Sequence, residues 1–274
     1  MNTQQMHATC GQILQAVREK KPIVHQITNY VTVQDCANMV LALGGSPIMA
    51  DEMEELFDIV QLSKALVLNI GTLNERTRAS MLMAGRYAQQ AGIPIILDPV
   101  GSGASRYRTE TVQSLISAVM PTVIRGNLSE IRSVAQLASH TSGVDAAPAD
   151  DATGIEETQE LAHSLARKLG CVVAITGKTD SVSDGTSIAA IGNGHQSLTR
   201  ITGTGCMSSA LVGTCCAVTD DFFGATVTAL LCMGIAGELA SVHTGLGVFH
   251  ASLFDHISTI DGKCLMEKGN LYVR

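Results

Sequence analysis

The run Ala65-Leu66-Val67-Leu68-Asn69-Ile70-Gly71, followed by Glu75–Ala91 and then by Ile95-Ile96-Leu97-Asp98-Pro99, decides the fold. Its first piece is a compact apolar strand ending on Asn, Ile and Gly. Glu75–Ala91 has helical spacing and is stopped by Gly92-Ile93-Pro94, after which Ile95-Ile96-Leu97 is a second short buried strand. Short apolar strands separated by a helix of more than ten residues are a βαβ unit. Strands this uniformly apolar belong to a parallel sheet covered on both faces.

The same beat extends in both directions. Upstream, an amphipathic segment over 3–19 leads into strand Ile23–Ile27 and helix Val33–Leu43, then a short strand over 46–49 and a helix over 54–63. Downstream come helix 110–118, strand 122–124, helix 128–138, helix Ile155–Leu169 and strand 171–175. Pieces around 181–182, 187–191 and 198–201, with Gly and Asn turns between them, read as a β-meander. Residues from 206 to about 260 read as helical, and 142–153, rich in Ala, Asp, Gly and Pro, as a surface loop. Neither a repeat nor a linker divides the chain. The expectation is one α/β domain over residues 1–274, with a mainly parallel central sheet.

A formal net charge of −7 argues against a nucleic-acid or anionic-membrane surface, either of which needs clustered Lys and Arg. Of the eight cysteines, Cys171, Cys215, Cys216 and Cys232 lie in apolar runs, and no CxxC pair exists to hold zinc. Residues 1–12 are polar, without the apolar centre of a secretory signal. Reduced, mostly buried thiols in a cytoplasmic protein are the economical reading. The apolar stretches 206–218 and 222–237 are shorter than the roughly 20 residues needed to span a bilayer. Rich in small residues and separated by Asp220-Asp221, they read as buried helices packed closely on a sheet or a neighbouring subunit.

Ligands of such sheets collect at the carboxyl ends of the strands. Five polar or glycine-rich clusters directly follow apolar runs here: Asn69-Ile70-Gly71, Asp98-Pro99-Val100-Gly101, Arg125-Gly126-Asn127, Thr176-Gly177 and Gly203-Thr204-Gly205-Cys206. The last is the most telling. Glycines let the backbone turn tightly and aim several N–H groups at one point, and the following helix adds its positive end. Together they suit a phosphoryl group in transit. Neither familiar phosphate loop is present. Gly177-Lys178-Thr179 has the ending of a Walker loop, but Val172 stands where its first Gly belongs, and Ser208 replaces the third Gly of a dinucleotide fingerprint.

Other candidates carry alternatives. Cys206, in the first turn of a helix, is expected to have a lowered pKa and to accept or orient a substrate proton; the alternative is a small buried cysteine. Asp98 is either a site acid or a turn former. Asn127 and Glu130, three apart at a helix start, suit a water-rich Mg²⁺ site or an ordinary capping box. Arg125 ends a buried strand where its planar fork could grip phosphate oxygens, or it forms a surface salt bridge.

These motifs resemble the hydroxyethylthiazole kinases of the ribokinase-like superfamily. Gly203-Thr204-Gly205-Cys206 is similar to the superfamily's anion-hole turn, where most members carry Asp and this family carries Cys. Ile23-Val24-His25-Gln26-Ile27-Thr28-Asn29-Tyr30-Val31, Ala37-Asn38 and Gly45-Ser46-Pro47-Ile48-Met49 resemble the family's signatures. So do Asn69-Ile70-Gly71-Thr72-Leu73, Leu97-Asp98-Pro99-Val100-Gly101 and Ile124-Arg125-Gly126-Asn127, so that the likeness covers nearly the whole chain. It implies a ribokinase-like sandwich that uses ATP and Mg²⁺ to phosphorylate 4-methyl-5-(2-hydroxyethyl)thiazole in thiamine biosynthesis or salvage. It also implies substrate contacts at Met49, Gly203 and Asn29, ATP contacts at Arg125 and Thr176, and metal contacts at Asp98, Asn127 and Glu130. Cys206 takes the catalytic-base position, with Gly203 and Gly205 in the anion hole, and a cytoplasmic homotrimer carries its sites at subunit interfaces. Two features depart from the family: Gln34-Asp35-Cys36 stands where an Asn is common, and the loop over 142–151 is longer and more acidic. Rival readings are a kinase of another alcohol on the same scaffold, a non-catalytic nucleotide-binding regulator, and a nicotinamide-dependent oxidoreductase, which the missing fingerprint disfavours.

Overall fold

The computed structural model describes residues 2–140, 154–242 and 245–274, so the loop expected at 142–153 lies outside the described residues. In chain order the elements are α1 (Thr3–Lys20), β1 (Ile23–Ile27), α2 (Val33–Leu43), β2 (Ser46–Ile48), α3 (Leu56–Leu62) and β3 (Ala65–Asn69). Then come α4 (Glu75–Ala91), β4 (Ile95–Asp98), α5 (Arg106–Val119), β5 (Val123–Asn127), α6 (Leu128–His140), α7 (Ile155–Leu169) and β6 (Val172–Thr176). The remainder is β7 (Asp180–Ser183), β8 (Ile188–Ile191), a short 3₁₀ turn (Gln196–Arg200), α8 (Thr204–Cys216), α9 (Phe222–Ala240), α10 (Leu246–Thr259), α11 (Gly262–Lys268) and β9 (Leu271–Val273).

The strands form one sheet in the order β2-β1-β3-β4-β5-β6-β7-β8-β9. From β2 to β6 neighbours pair in parallel, and β7, β8 and β9 are added antiparallel. Period-two alternation divides the strand side chains between two apolar layers. Val24, Val67, Ile96, Val123 and Ala174 join the layer with α1, α2, α8, α9 and α10. Ile27, Leu66, Leu68, Ile95, Leu97, Ile124 and Ile175 join α3 to α7 on the other face. Helices therefore cover both sides, as the apolar strands require.

Two sequence expectations need correction. The third piece of the meander, 198–201, is not a strand. The His195 side chain accepts from Ser197 N–H and starts a 3₁₀ turn there, and the place beside β8 is taken by Leu271–Val273 at the end of the chain. Strand β5 also runs on through Asn127, so Arg125 lies inside it, opposite Ala174 of β6.

Helices α8 and α9 are buried on nearly all sides, which is why they carry so little charge. Helix α9 is long and apolar enough by length and composition to cross a membrane, yet most of it is covered by the rest of the fold. Its partner α8 lies close on the sheet: a Cβ at Gly213 would come within 2.4 Å of Val67 Cγ2. That approach fixes where the first turn of α8 meets the strand ends.

Candidate active site

Alternation along the strands brings the site together. Asn69, Asp98, Arg125 and Thr176 occupy the same parity as Val67, Ile96, Val123 and Ala174, so all four side chains project toward the face under α8. Asn69 lies opposite Asp98 in the sheet, and its Nδ2 donates to Asp98 Oδ2 at 2.8 Å. Ser209, one turn into α8, donates to the same oxygen at 2.8 Å. Arg125 Nη1 stands 3.7 Å from it, both groups being buried, and Arg125 Nη2 donates to the Thr176 hydroxyl. Burial pushes the Asp98 carboxyl up to about 6, helped by the Glu130 charge and opposed by Arg125, Ser209 and Asn69.

The glycine turn closes on this group from above. Gly203 has φ of +90° and caps α8 without a side-chain bond, leaving the first N–H groups of the helix free of an intrahelical partner. At Gly205 a Cβ would lie 2.9 Å from Arg125 Nη1, so turn and guanidinium are in direct contact. Gly203 is held in turn by Thr32, whose Cγ2 would sit 2.3 Å from an added Cβ. A cavity of about 740 Å³ opens beside them, lined by Arg125, Thr176 and Gly205 together with Leu198, Leu230 and Met233.

Cys206 is buried at the edge of this assembly. Asn29 Nδ2 donates to its sulfur at 3.4 Å, while Asn29 Oδ1 accepts from Val31 N–H. The expected lowering of the thiol's pKa is overturned. Burial raises it, the Asp98 carboxylate raises it further, and Thr32, Asn69 and Arg125 only partly offset both. Being at a helix start is outweighed by desolvation, and at neutral pH the group is a thiol.

Asn127 and Glu130 do form a capping box: Asn127 Oδ1 accepts from Glu130 N–H, and Glu130 Oε2 accepts from Asn127 N–H, each at 2.9 Å. The other oxygen, Glu130 Oε1, accepts from Gly101 N–H at 2.8 Å, which links this helix start to the turn after β4. A cation is still compatible with the cluster. Asp98 Oδ1 is buried without a hydrogen-bond partner, and each Glu130 oxygen keeps a lone pair beyond its one amide. Among the described residues no group of three or more His, Cys, Asp or Glu could hold a metal, and Asp98 and Glu130 are the two carboxylates that a hydrated divalent ion could use.

Met49 is placed just beyond β2, packed on the apolar layer shared with α8. Its loop is anchored by a residue that sequence reasoning did not single out. His25 is buried, and because a carbonyl can only accept, its Nε2 carries the proton donated to Ala50 O at 2.7 Å. Arg108 was equally hidden. Its guanidinium donates to Ile70 O at 2.6 Å, Val100 O at 2.8 Å and Gly71 O at 2.7 Å, clamping the ends of β3 and β4 together. Sequence position on a helix face gave no sign of it.

A sheet of this order, with a glycine turn over an Asp–Arg pair, is the architecture of ribokinase-like small-molecule kinases. The pyridoxal kinase of Staphylococcus aureus in complex with ADP shares the fold, with a TM-score of 0.61 at 15% identity over 80% of this chain and 88% of that one. A hydroxyethylthiazole kinase protein from Pyrococcus horikoshii superposes more closely, with a TM-score of 0.89 at 38% identity over 97% of this chain and 98% of its own. The profile of the hydroxyethylthiazole kinase family matches residues 14–263, and the chain belongs to that family. The hydroxyethylthiazole kinase of Clostridium beijerinckii is 49% identical over 95% of both chains, and that of Ruminiclostridium cellulolyticum 48% identical over 94% of this chain and 95% of its own.

Proposed function

We propose that the chain transfers the γ-phosphoryl group of ATP to the side-chain hydroxyl of 4-methyl-5-(2-hydroxyethyl)thiazole, in thiamine biosynthesis or salvage. Family membership supports the substrate class. The observation that carries the chemistry is the contact between the Gly205 backbone and Arg125 in the lining of the cavity. Phosphoryl transfer needs in-line positioning and neutralised charge more than a strong base. Arg125 and Thr176 grip phosphate oxygens of the nucleotide, and the free N–H groups of the 203–206 turn receive the migrating group. Asp98 and Glu130 are the oxygen donors toward Mg²⁺, with Asn127 holding Glu130 in place. The ion, when bound, neutralises charge between the phosphates. Met49 and Gly203 border the thiazole, and Asn29 orients Cys206 beside the hydroxyl. The hydroxyl oxygen forms a bond to phosphorus as the bond to ADP breaks, and its proton leaves to solvent or to the new phosphate.

A coupled ADP-release assay across hydroxyalkyl heterocycles tests the assignment. Turnover with the thiazole alcohol is expected, and turnover with a pyrimidine alcohol alone would transfer the protein to another kinase activity on this scaffold.

Because Cys206 is a neutral thiol at rest, its first task is to orient the hydroxyl. Cys206→Ala is expected to lower kcat by about 10- to 100-fold while leaving the Kd for ATP within about twofold. Cys206→Asp is expected to remain active, since a carboxylate can accept the same hydrogen bond. Full activity in the Ala variant would remove Cys206 from the reaction, and an inert but folded Asp variant would count against its acting as a base.

A homotrimer with sites at the subunit interfaces fits the exposed apolar side chains beside the site, Tyr30 and Val31 next to Asn29, with Leu41 on α2 and Val248 on α10. Light scattering on the purified protein is expected to give three times the 28.7 kDa chain mass. A monomer there would rule the arrangement out. The cytoplasm is the compartment that suits eight unpaired cysteines, seven of them buried.

A further inference from the structure

Part of the cavity wall is built on one acidic side chain that the phosphoryl-transfer reading leaves unused. Asn193 and Gly194, which follow β8, line the cavity there. Asn193 is buried, and its Nδ2 donates to both carboxylate oxygens of Glu238 on α9, at 3.1 and 3.0 Å, and to Lys268 O at 2.9 Å. Gly194 N–H donates to Glu238 Oε1 at 3.0 Å. On the other side, Asn193 Oδ1 accepts from Asn270 N–H at 2.6 Å, which ties the same residue to the segment entering β9.

The backbone of α9 is shaped for this docking. One turn before Glu238, a Cβ at Gly234 would meet Asn193 O at 2.7 Å, and a Cβ at Gly237 would meet Leu198 Cδ1 at 2.7 Å. The wall thus rests directly on the helix, with Glu238 fixing both its side chain and its backbone N–H. Leu198, Leu230 and Met233 give the same cavity an apolar part of its lining, whereas Arg125 suits phosphates. A flat heterocycle with polar edges fits an apolar slot bordered by backbone groups.

We infer that Glu238 is a positioning residue for nucleotide binding: through Asn193 and the Gly194 N–H it holds the cavity wall against which the base of ATP lies. The inference rests on the reading that this cavity takes the nucleotide. Glu238→Gln tests it sharply, because the amide replaces one acceptor by a donor that faces the Asn193 donor. Asn193 can then turn over only by losing the Asn270 and Lys268 contacts.

Equilibrium titration of the full-length protein with Mg-ATP, together with steady-state kinetics, reads the effect. In Glu238→Gln the Kd and KM for ATP are expected to rise about tenfold, with kcat and the KM for the thiazole alcohol unchanged within about twofold. Hydrogen exchange in residues 192–195 is expected to quicken in the same variant. Glu238→Asp, which keeps the charge but withdraws it by one carbon, should move the ATP parameters in the same direction and serves if the Gln variant does not fold. An ATP affinity within twofold of the parent in a folded variant overturns the inference, as does a fall in apparent kcat with both KM values unchanged, the mark of a smaller folded fraction. If the parent protein itself fails to bind Mg-ATP, the nucleotide reading of the cavity falls instead.

Discussion

Replacing Arg125 by methionine is expected to lower kcat/KM by about a thousandfold, the scale of losing a preorganised donor to transition-state charge together with its ground-state grip on phosphate. The guanidinium is buried between three partners: Asp98 at 3.7 Å, the Thr176 hydroxyl, and the backbone at Gly205. Methionine matches the length of the stem and removes the charge. Asp98 is then buried without its nearest cation, and its carboxyl, already pushed up to about 6 by burial, rises further. One substitution therefore removes a donor and weakens an acceptor. Lysine is not a conservative change here, since an ammonium cannot span Asp98 and Thr176 as a planar fork does. Steady-state ADP release with saturating thiazole alcohol measures the effect. Activity within tenfold of the parent would mean that the phosphoryl group does not pass this corner.

Gly203→Ala is expected to be nearly as damaging, for steric reasons. At φ of +90° an L side chain is strained, at roughly 1–3 kcal/mol, and the new methyl would stand 2.3 Å from Thr32 Cγ2. Thr32 is buried in the loop that carries Asn29, so relief of the overlap moves either the turn or that loop. A fall in kcat of about 100-fold or more is anticipated, with a lower unfolding midpoint in the same protein. The double variant Gly203→Ala/Thr32→Ser removes the clashing methyl but not the backbone strain, and partial recovery should follow. Unchanged activity in the single variant would show that the turn adopts another conformation in turnover. A Cβ at Gly205 would press instead on Arg125 Nη1 at 2.9 Å, in the guanidinium that Asp98 and Thr176 hold in place.

The sequence revealed the scaffold more fully than the chemistry. Ala65–Asn69 and Ile95–Asp98 are apolar enough, and Glu75–Ala91 regular enough, that local pattern and tertiary burial agree. The convergence of Asn69, Asp98, Arg125 and Thr176 also follows from strand-end position and parity. What escaped were features that exist only between distant segments. Leu271–Val273 is too short to read as a strand without β8 beside it, and the piece near Leu198 imitates one in composition. The pKa of Cys206 depends on a carboxylate more than a hundred positions away and on burial that no window of sequence displays. Asn127 and Glu130 fit both a cap and a metal shell by spacing. The structure shows the cap, and shows that its carboxylate also reaches the turn at Gly101.

The Arg108 clamp carries a consequence for how this enzyme can diversify. Three carbonyls from two separate turns share one guanidinium, so the ledge that presents Asn69 and Asp98 behaves as a single casting. An insertion in either turn would dislodge both acidic and amide groups at once. Lineages seeking new alcohols should therefore vary side chains around Tyr30 and Met49, and leave this ledge at fixed length.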